Sequence, residues 1–219
     1  MDNTINGITV KTAKVSQGAS KRGVAKKIVT KLIRVLTIAP VMALATLCTL
    51  FLHDKAIFGE TYLFALAVFF LFALPVLAYP CQPITPYFKR KGREGQRNLA
   101  MVFAMLGYVA GCVTNLFLNA PASLWLIYLA YLISGALVVV INKVFHLRAS
   151  AHACGIIGPM ALLLYFGVYW AIIPGLTLYL LALWASVEMK RHTWQQFIGG
   201  AIIPLSALAV LHPIFNVLI

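Results

Sequence analysis

A polytopic bundle of transmembrane α-helices is the fold that this sequence predicts, and three observations carry the prediction. Of 219 residues, 62% are hydrophobic and only 11% are charged, a balance foreign to ordinary water-soluble domains. The apolar residues gather into runs of about 20, the length that crosses roughly 30 Å of hydrocarbon at 1.5 Å per helical residue. The Lys and Arg residues fall between these runs rather than inside them. A bilayer is therefore the solvent of most of the chain.

Residues 1 to about 24 are polar and rich in Ser, Thr, Gly and Lys, with nothing to bury, so no fold is assigned to them. They are too basic and too poor in apolar residues to form a cleavable signal sequence, and the tail is expected to be retained. From Lys26 to Arg34 the segment KKIVTKLIR sets Lys27, Lys31 and Arg34 at helical spacing beside Ile28, Leu32 and Ile33, as in a helix lying at headgroup level. The chain thus divides into a basic cytoplasmic tail over 1–34 and a transmembrane helical domain over 35–219. Seven spans are predicted within that domain, at about 35–53, 60–79, 99–118, 123–142, 154–173, 175–189 and 197–218. Pro174-Gly175 is read as the turn between the fifth and sixth, and merging that hairpin would leave six spans.

Charge gives the bundle an orientation. An alternating path returns the N-terminus and the loops near 80–98, 143–153 and 190–196 to one side, which then holds 17 of the 18 Lys and Arg residues. Only Lys55 lies opposite. Short loops rich in Lys and Arg stay in the cytoplasm, so this side is predicted to be cytoplasmic. The net charge of +13 comes with no zinc-finger or recognition-helix pattern, and topology accounts for it better than nucleic acid does. Cys48, Cys81, Cys112 and Cys154 are widely spaced and form no CxxC pair, so neither a zinc site nor a disulfide framework is predicted.

The acids are Asp2, Asp54, Glu60, Glu94 and Glu188, and no two lie close enough in sequence to make an Asp-rich motif for hard cations. No cofactor or metal is predicted. Histidine offers phosphoryl chemistry without one. A neutral imidazole displaces an alcohol from a phosphate monoester, a second histidine protonates the leaving oxygen, and guanidinium groups hold the phosphoryl oxygens. His146, His152 and His192 all fall on the basic side. The plainer reading of each is a residue at headgroup level, the one preferred for His146, as for His53 and His212 on the opposite side. Tyr and Trp near span ends read as an interfacial belt, and glycines such as Gly107, Gly111 and Gly200 as sites of close helix packing.

Three segments together resemble the motifs of the type 2 phosphatidic acid phosphatase superfamily, which includes lipid phosphate phosphatases and bacterial polyprenyl-pyrophosphate phosphatases. The first family motif, Lys, six residues, then Arg-Pro, is similar to RKGREGQRN from Arg90 to Arg97-Asn98. The second, Pro-Ser-Gly-His, is similar to RASAH, with Ser150 and His152. The third, Ser-Arg, five residues, His, three residues, Asp, is similar to ASVEMKRHTWQQ, with His192 at the histidine and Gln196 at the aspartate. The resemblance covers roughly residues 85–210 and departs at several positions. Arg90 replaces Lys, Asn98 and Ala149 replace Pro, Ala151 replaces Gly, Ser186 replaces Arg, and Gln196 replaces Asp.

The resemblance implies His192 as nucleophile and His152 as general acid, with Arg90, Arg97 and Ser150 binding phosphate, and Arg148, Lys190 and Arg191 are expected to bind phosphate beside them. A neutral Gln196 orients the His192 ring without stabilising its positive charge. Glu188, four residues before His192, would share its face if the helix continued, as a substitute carboxylate. Lys190 or Arg191 would replace the arginine missing at position 186. The expected activity is metal-independent dephosphorylation of a membrane lipid phosphate, of polyprenyl phosphate or phosphatidate type, through a phosphohistidine, in the inner or plasma membrane of a bacterium or archaeon. Two alternatives stand beside it: a non-catalytic relative that binds or moves an anionic lipid, and a lipid phosphoryl transferase. The partners expected are the bilayer and that lipid, not nucleic acid; the oligomeric state is left open.

Overall fold

The computed structural model describes Val24, Lys26 and residues 28–218, and among these every regular element is a helix. The N-terminal tail up to residue 23 lies outside the described residues. Helix α1 (Ile28–Leu36) bends by 50° into α2 (Ala39–His53). The break follows from Pro40 in the first turn of α2, where a missing N–H costs nothing but a continuing helix would clash with it.

Helix α3 (Thr61–Val68) passes through a π turn, Phe69–Ala73, into α4 (Leu74–Cys81). Pro75 sits in the first turn of α4 and cannot donate back to the preceding turn, and the widened π turn absorbs that lost hydrogen bond. A short α5 (Pro86–Arg90) leads into α6 (Gly92–Phe117), followed by α7 (Ala122–Lys143), α8 (Ala151–Tyr165), α9 (Ile172–Glu188) and α10 (Trp194–Phe215). Glycine lets α6 approach its neighbours closely. A Cβ at Gly107 would strike the Phe70 carbonyl of the π turn, and one at Gly111 would strike the Tyr128 ring of α7.

Five helices are long and apolar enough to cross a membrane, or six when the bent α1–α2 pair counts as one span. Helices of this length and composition belong in a bilayer. The fifth predicted span differs. Helix α8 has 15 residues, about 22 Å at 1.5 Å each, short of the hydrocarbon thickness. It is packed against α2, α7, α9 and α10, so protein rather than lipid surrounds much of it. The turn after it also falls elsewhere than predicted. Gly167, at φ +82°, reverses the chain, while Pro174 and Gly175 lie in the first turns of α9. Proline is tolerated there for the same reason as in α2, and Gly175 brings that turn against Met160 of α8.

The largest apolar cluster joins Leu47, Leu50, Phe58, Leu71, Leu124, Ile127, Tyr128 and Phe215. His53, Asp54, Pro121, Phe166 and Leu218 gather around one cavity of about 350 Å³, so the end of α2, the α6–α7 turn, the α8–α9 turn and the end of α10 share one end of the bundle. The starts of α6, α8 and α10 lie at the other, together with α1.

Candidate functional site

At that second end two histidines and three arginines converge from four places in the chain. His152 stands in the first turn of α8, His192 in the α9–α10 turn, Arg34 at the end of α1, Arg97 in the second turn of α6, and Arg191 beside His192. Arg34 lies close enough to Arg191 and Arg97 to feel their charge, and His192 feels Arg97, Arg34 and Arg191. His152 is affected by Arg34 and His192. Among the described residues no carboxylate pairs with any of these arginines; the ion pair present joins Lys26 Nζ to Glu188 at 2.9 Å. Positive charge is therefore concentrated without internal neutralisation.

Burial sets the protonation of the histidines. Desolvation, followed by the Arg34 and His192 charges, pushes the His152 pKa down to about 3. His192 is lowered first by burial and then by Arg97, and the nearby Gln196 side chain opposes this. Both rings are neutral at pH 7. His152 Nε2 lies 2.8 Å from Thr37 Oγ1. Because the Thr37 hydroxyl donates to the Ile33 carbonyl at 2.8 Å, its oxygen accepts from His152 Nε2–H, which fixes that tautomer. His192 Nδ1, by contrast, is buried without a partner.

The local sequence builds the frame. Ser150 is fully buried as the N-cap of α8, its Oγ accepting from Ala153 N–H at 3.3 Å. Its own N–H donates to the Gln196 carbonyl at 2.9 Å. Gly200 makes this junction possible, since a Cβ there would strike the Ser150 backbone. Thr193 and Gln196 form a reciprocal capping box at the start of α10, each side chain meeting the other's N–H at 3.3 Å. The partly positive N-termini of α8 and α10 thus lie beside the two histidines, adding to the field of the arginines.

The structure brings together His152, His192, Arg97, Arg191 and Gln196 of the sequence-predicted set, with Ser150 bonded to Gln196 beneath them. Arg97 lies on α6 rather than in a loop, because a helix outside the hydrocarbon no longer needs apolar residues. Arg97 and Arg191 are exposed at the rim of the cluster; Arg90, Arg148 and Lys190 are exposed as well and exert no charge effect on Arg34 or either histidine. The premise for Glu188 fails. Helix α9 ends at that residue, Lys190 turns left-handed at φ +52°, and no helical face is shared with His192. Glu188 is held by Lys26 instead.

Sequence reasoning missed Arg34 and Thr37, which lie outside the resembling segment. Fully buried Ser186, where the resemblance expects arginine, receives Arg34 Nη1 on its hydroxyl at 2.6 Å. A guanidinium absent from α9 is supplied by α1.

A groove of about 740 Å³ adjoins the site, walled by Leu137 and Ile141 of α7 and Ile202, Ile203 and Gly199 of α10, with Thr193 and Gln196 at its polar edge. Among the described residues no three His, Cys, Asp or Glu side chains group as a metal site would require. No family model, curated protein or solved structure matches the chain.

Proposed function

We propose that this membrane protein removes the phosphate from a lipid phosphate monoester by way of a phosphohistidine. The observation that carries the reading is the unneutralised meeting of Arg34, Arg97 and Arg191 with His152 and His192. Guanidiniums that repel one another persist at a site when an anion is their partner, and three of them suit the three non-bridging oxygens of a terminal phosphoryl group. The adjoining groove takes the hydrocarbon chain, so the ester oxygen lies between its polar edge and the histidines.

In the reaction His192 Nδ1, a neutral and unpartnered nitrogen, forms the P–N bond as the ester P–O bond breaks. His152 gives a proton to the leaving alkoxide. Water then attacks phosphorus, releasing phosphate and His192, and its proton returns to His152. Because His152 is held neutral in the free site, its acid form depends on the substrate dianion offsetting the nearby positive charge. Likeness of the three motifs to the type 2 phosphatidic acid phosphatases supports the same reading, as does their convergence at one end of the bundle.

The cation-rich end is proposed to face the cytoplasm, because Lys31 and Arg34 of α1 and the basic residues of three connecting segments lie there. All seven apolar segments then alternate across the membrane, with α8 crossing inside a protein shell.

Purified protein in detergent, given a panel of lipid phosphates with EDTA present, tests the proposal. Phosphate release that survives EDTA and disappears in His192→Ala is expected. A second reading, anionic lipid binding without turnover, is favoured by the engagement of His152 Nε2 with Thr37 and by the absence of a carboxylate facing His192. Lipid binding with no release from any substrate would establish that reading.

A further inference from the structure

We propose that Arg34 is a phosphate ligand, so that the N-terminal helix completes the binding site. This deepens the reading above and rests on its phosphate site. The orientation of α1 is the first argument. Its polar residues Thr30 and Thr37 are buried against the bundle and Arg34 is half-buried, whereas Ile28, Leu32 and Val35 are exposed. A helix that served only as a membrane anchor has no need to turn its guanidinium inward. Unless something offsets it, desolvating such a group beside other cations is costly.

Geometry is the second argument. Ser186 accepts a single hydrogen bond from Arg34 Nη1, at 2.6 Å, and a hydroxyl carries no charge with which to neutralise it. Four of the five guanidinium N–H groups remain for other acceptors. Arg34 also lies within electrostatic range of both histidines and the other two arginines, so an anion held by it is favoured by their combined field. The ligand chemistry is a tetrahedral phosphoryl dianion, whether free in solution or carried on a lipid.

The test measures equilibrium binding in detergent, by calorimetry, of inorganic phosphate and of a long-chain alkyl phosphonate that cannot be hydrolysed. Arg34→Ala is expected to weaken both probes at least 10-fold if the contact is to the phosphoryl group. Arg34→Lys, which keeps the charge and loses the fork, is expected to fall between it and the wild type, and it covers the case in which Arg34→Ala does not fold. Lys31→Gln removes one charge from an exposed position on the same helix and is expected to stay within about 2-fold. Ser186→Ala separates anchoring from contact, because it releases the guanidinium without deleting it; a loss below about 3-fold is expected.

Wild-type affinity in Arg34→Ala overturns the proposal, as does a loss in Ser186→Ala equal to that in Arg34→Ala, since Arg34 would then act as an anchor alone. Failure of wild-type protein to bind either probe also overturns it. Loss of the alkyl phosphonate alone would mean that Arg34 serves the lipid chain and not the phosphate. Turnover is read separately. Binding that depends on Arg34 in a protein with no turnover sustains the ligand and removes the phosphatase, whereas turnover with unchanged binding in Arg34→Ala does the reverse.

Discussion

His152 shows how one residue's surroundings set its chemistry. The ring is neutral because burial and Arg34 favour the uncharged form, which in the free site displaces its pKa from the ordinary 6.5 to about 3. Unfolding restores the ordinary value. The depressed native pKa therefore contributes stability that is fully present above about pH 6.5 and is lost as pH falls towards 3, by as much as ~5 kcal/mol at 1.36 kcal/mol per unit. Thermal denaturation in detergent should show a midpoint that falls between pH 7 and pH 4, and His152→Gln should flatten much of that slope. Under the proposed reaction the same shift sets the pH dependence of turnover. With both histidines lowered, kcat/KM should have its optimum below pH 6.5, since it reports the free enzyme's groups. An optimum at pH 8 would exclude this acid–nucleophile pair. Glu188 gives the contrasting case, because its pair with Lys26 is substantially exposed and such pairs contribute at most about 1 kcal/mol. Glu188→Gln should leave turnover within about 2-fold, measured by phosphate release. The histidines and Arg97 were legible in the sequence because they lie in one ordered set of motifs. Arg34 was not, since its contact with Ser186 spans 152 positions and no local pattern encodes it.

At the scale of elements, the apolar runs announced every long helix, and their edges misled. Hydropathy falls where a chain leaves the hydrocarbon, yet α6 continues outward to Gly92 and carries Arg97 on a rigid element. Pro174-Gly175 has the composition of a turn, but proline at a helix start is also ordinary, and Gly167 with its positive φ makes the reversal. The spacing Thr193-x-x-Gln196 was available as a capping-box signature, which gives Gln196 a structural reason independent of any lost aspartate. The contact of α8 with α10 depends on Gly200 lying over the Ser150 backbone. Gly200→Val should force these helices apart at the site, lowering stability by about 1–3 kcal/mol and weakening inorganic phosphate binding, where Gly199→Val, with open space around it on the groove wall, should leave stability and inorganic phosphate binding unchanged. Thermal denaturation and calorimetry on the two variants check this.

For the whole molecule, the positive end and the opposite end are separated by the thickness of the bundle, so orientation decides which leaflet the positive end meets. Single cysteines at Lys89 and Lys55, in a chain freed of its four native cysteines, test this with a thiol reagent that cannot cross membranes. Lys89→Cys should react in inverted vesicles only, and Lys55→Cys in intact cells only. The reverse pattern would turn the protein over while leaving the site intact. The bent α1–α2 pair has a practical consequence for handling the protein. Helix α1 turns its apolar face outwards and its polar side towards the histidines, so lipid pressing from outside and the hydrogen bonds of His152 to Thr37 and of Arg34 to Ser186 inside hold it jointly. Short-chain detergents solvate such a face from every direction and compete with that docking. Extraction in them should yield a bundle with full helical content by circular dichroism and weakened phosphate binding, recoverable on transfer to lipid nanodiscs, and the choice of solubilising agent then becomes part of the definition of a functional preparation.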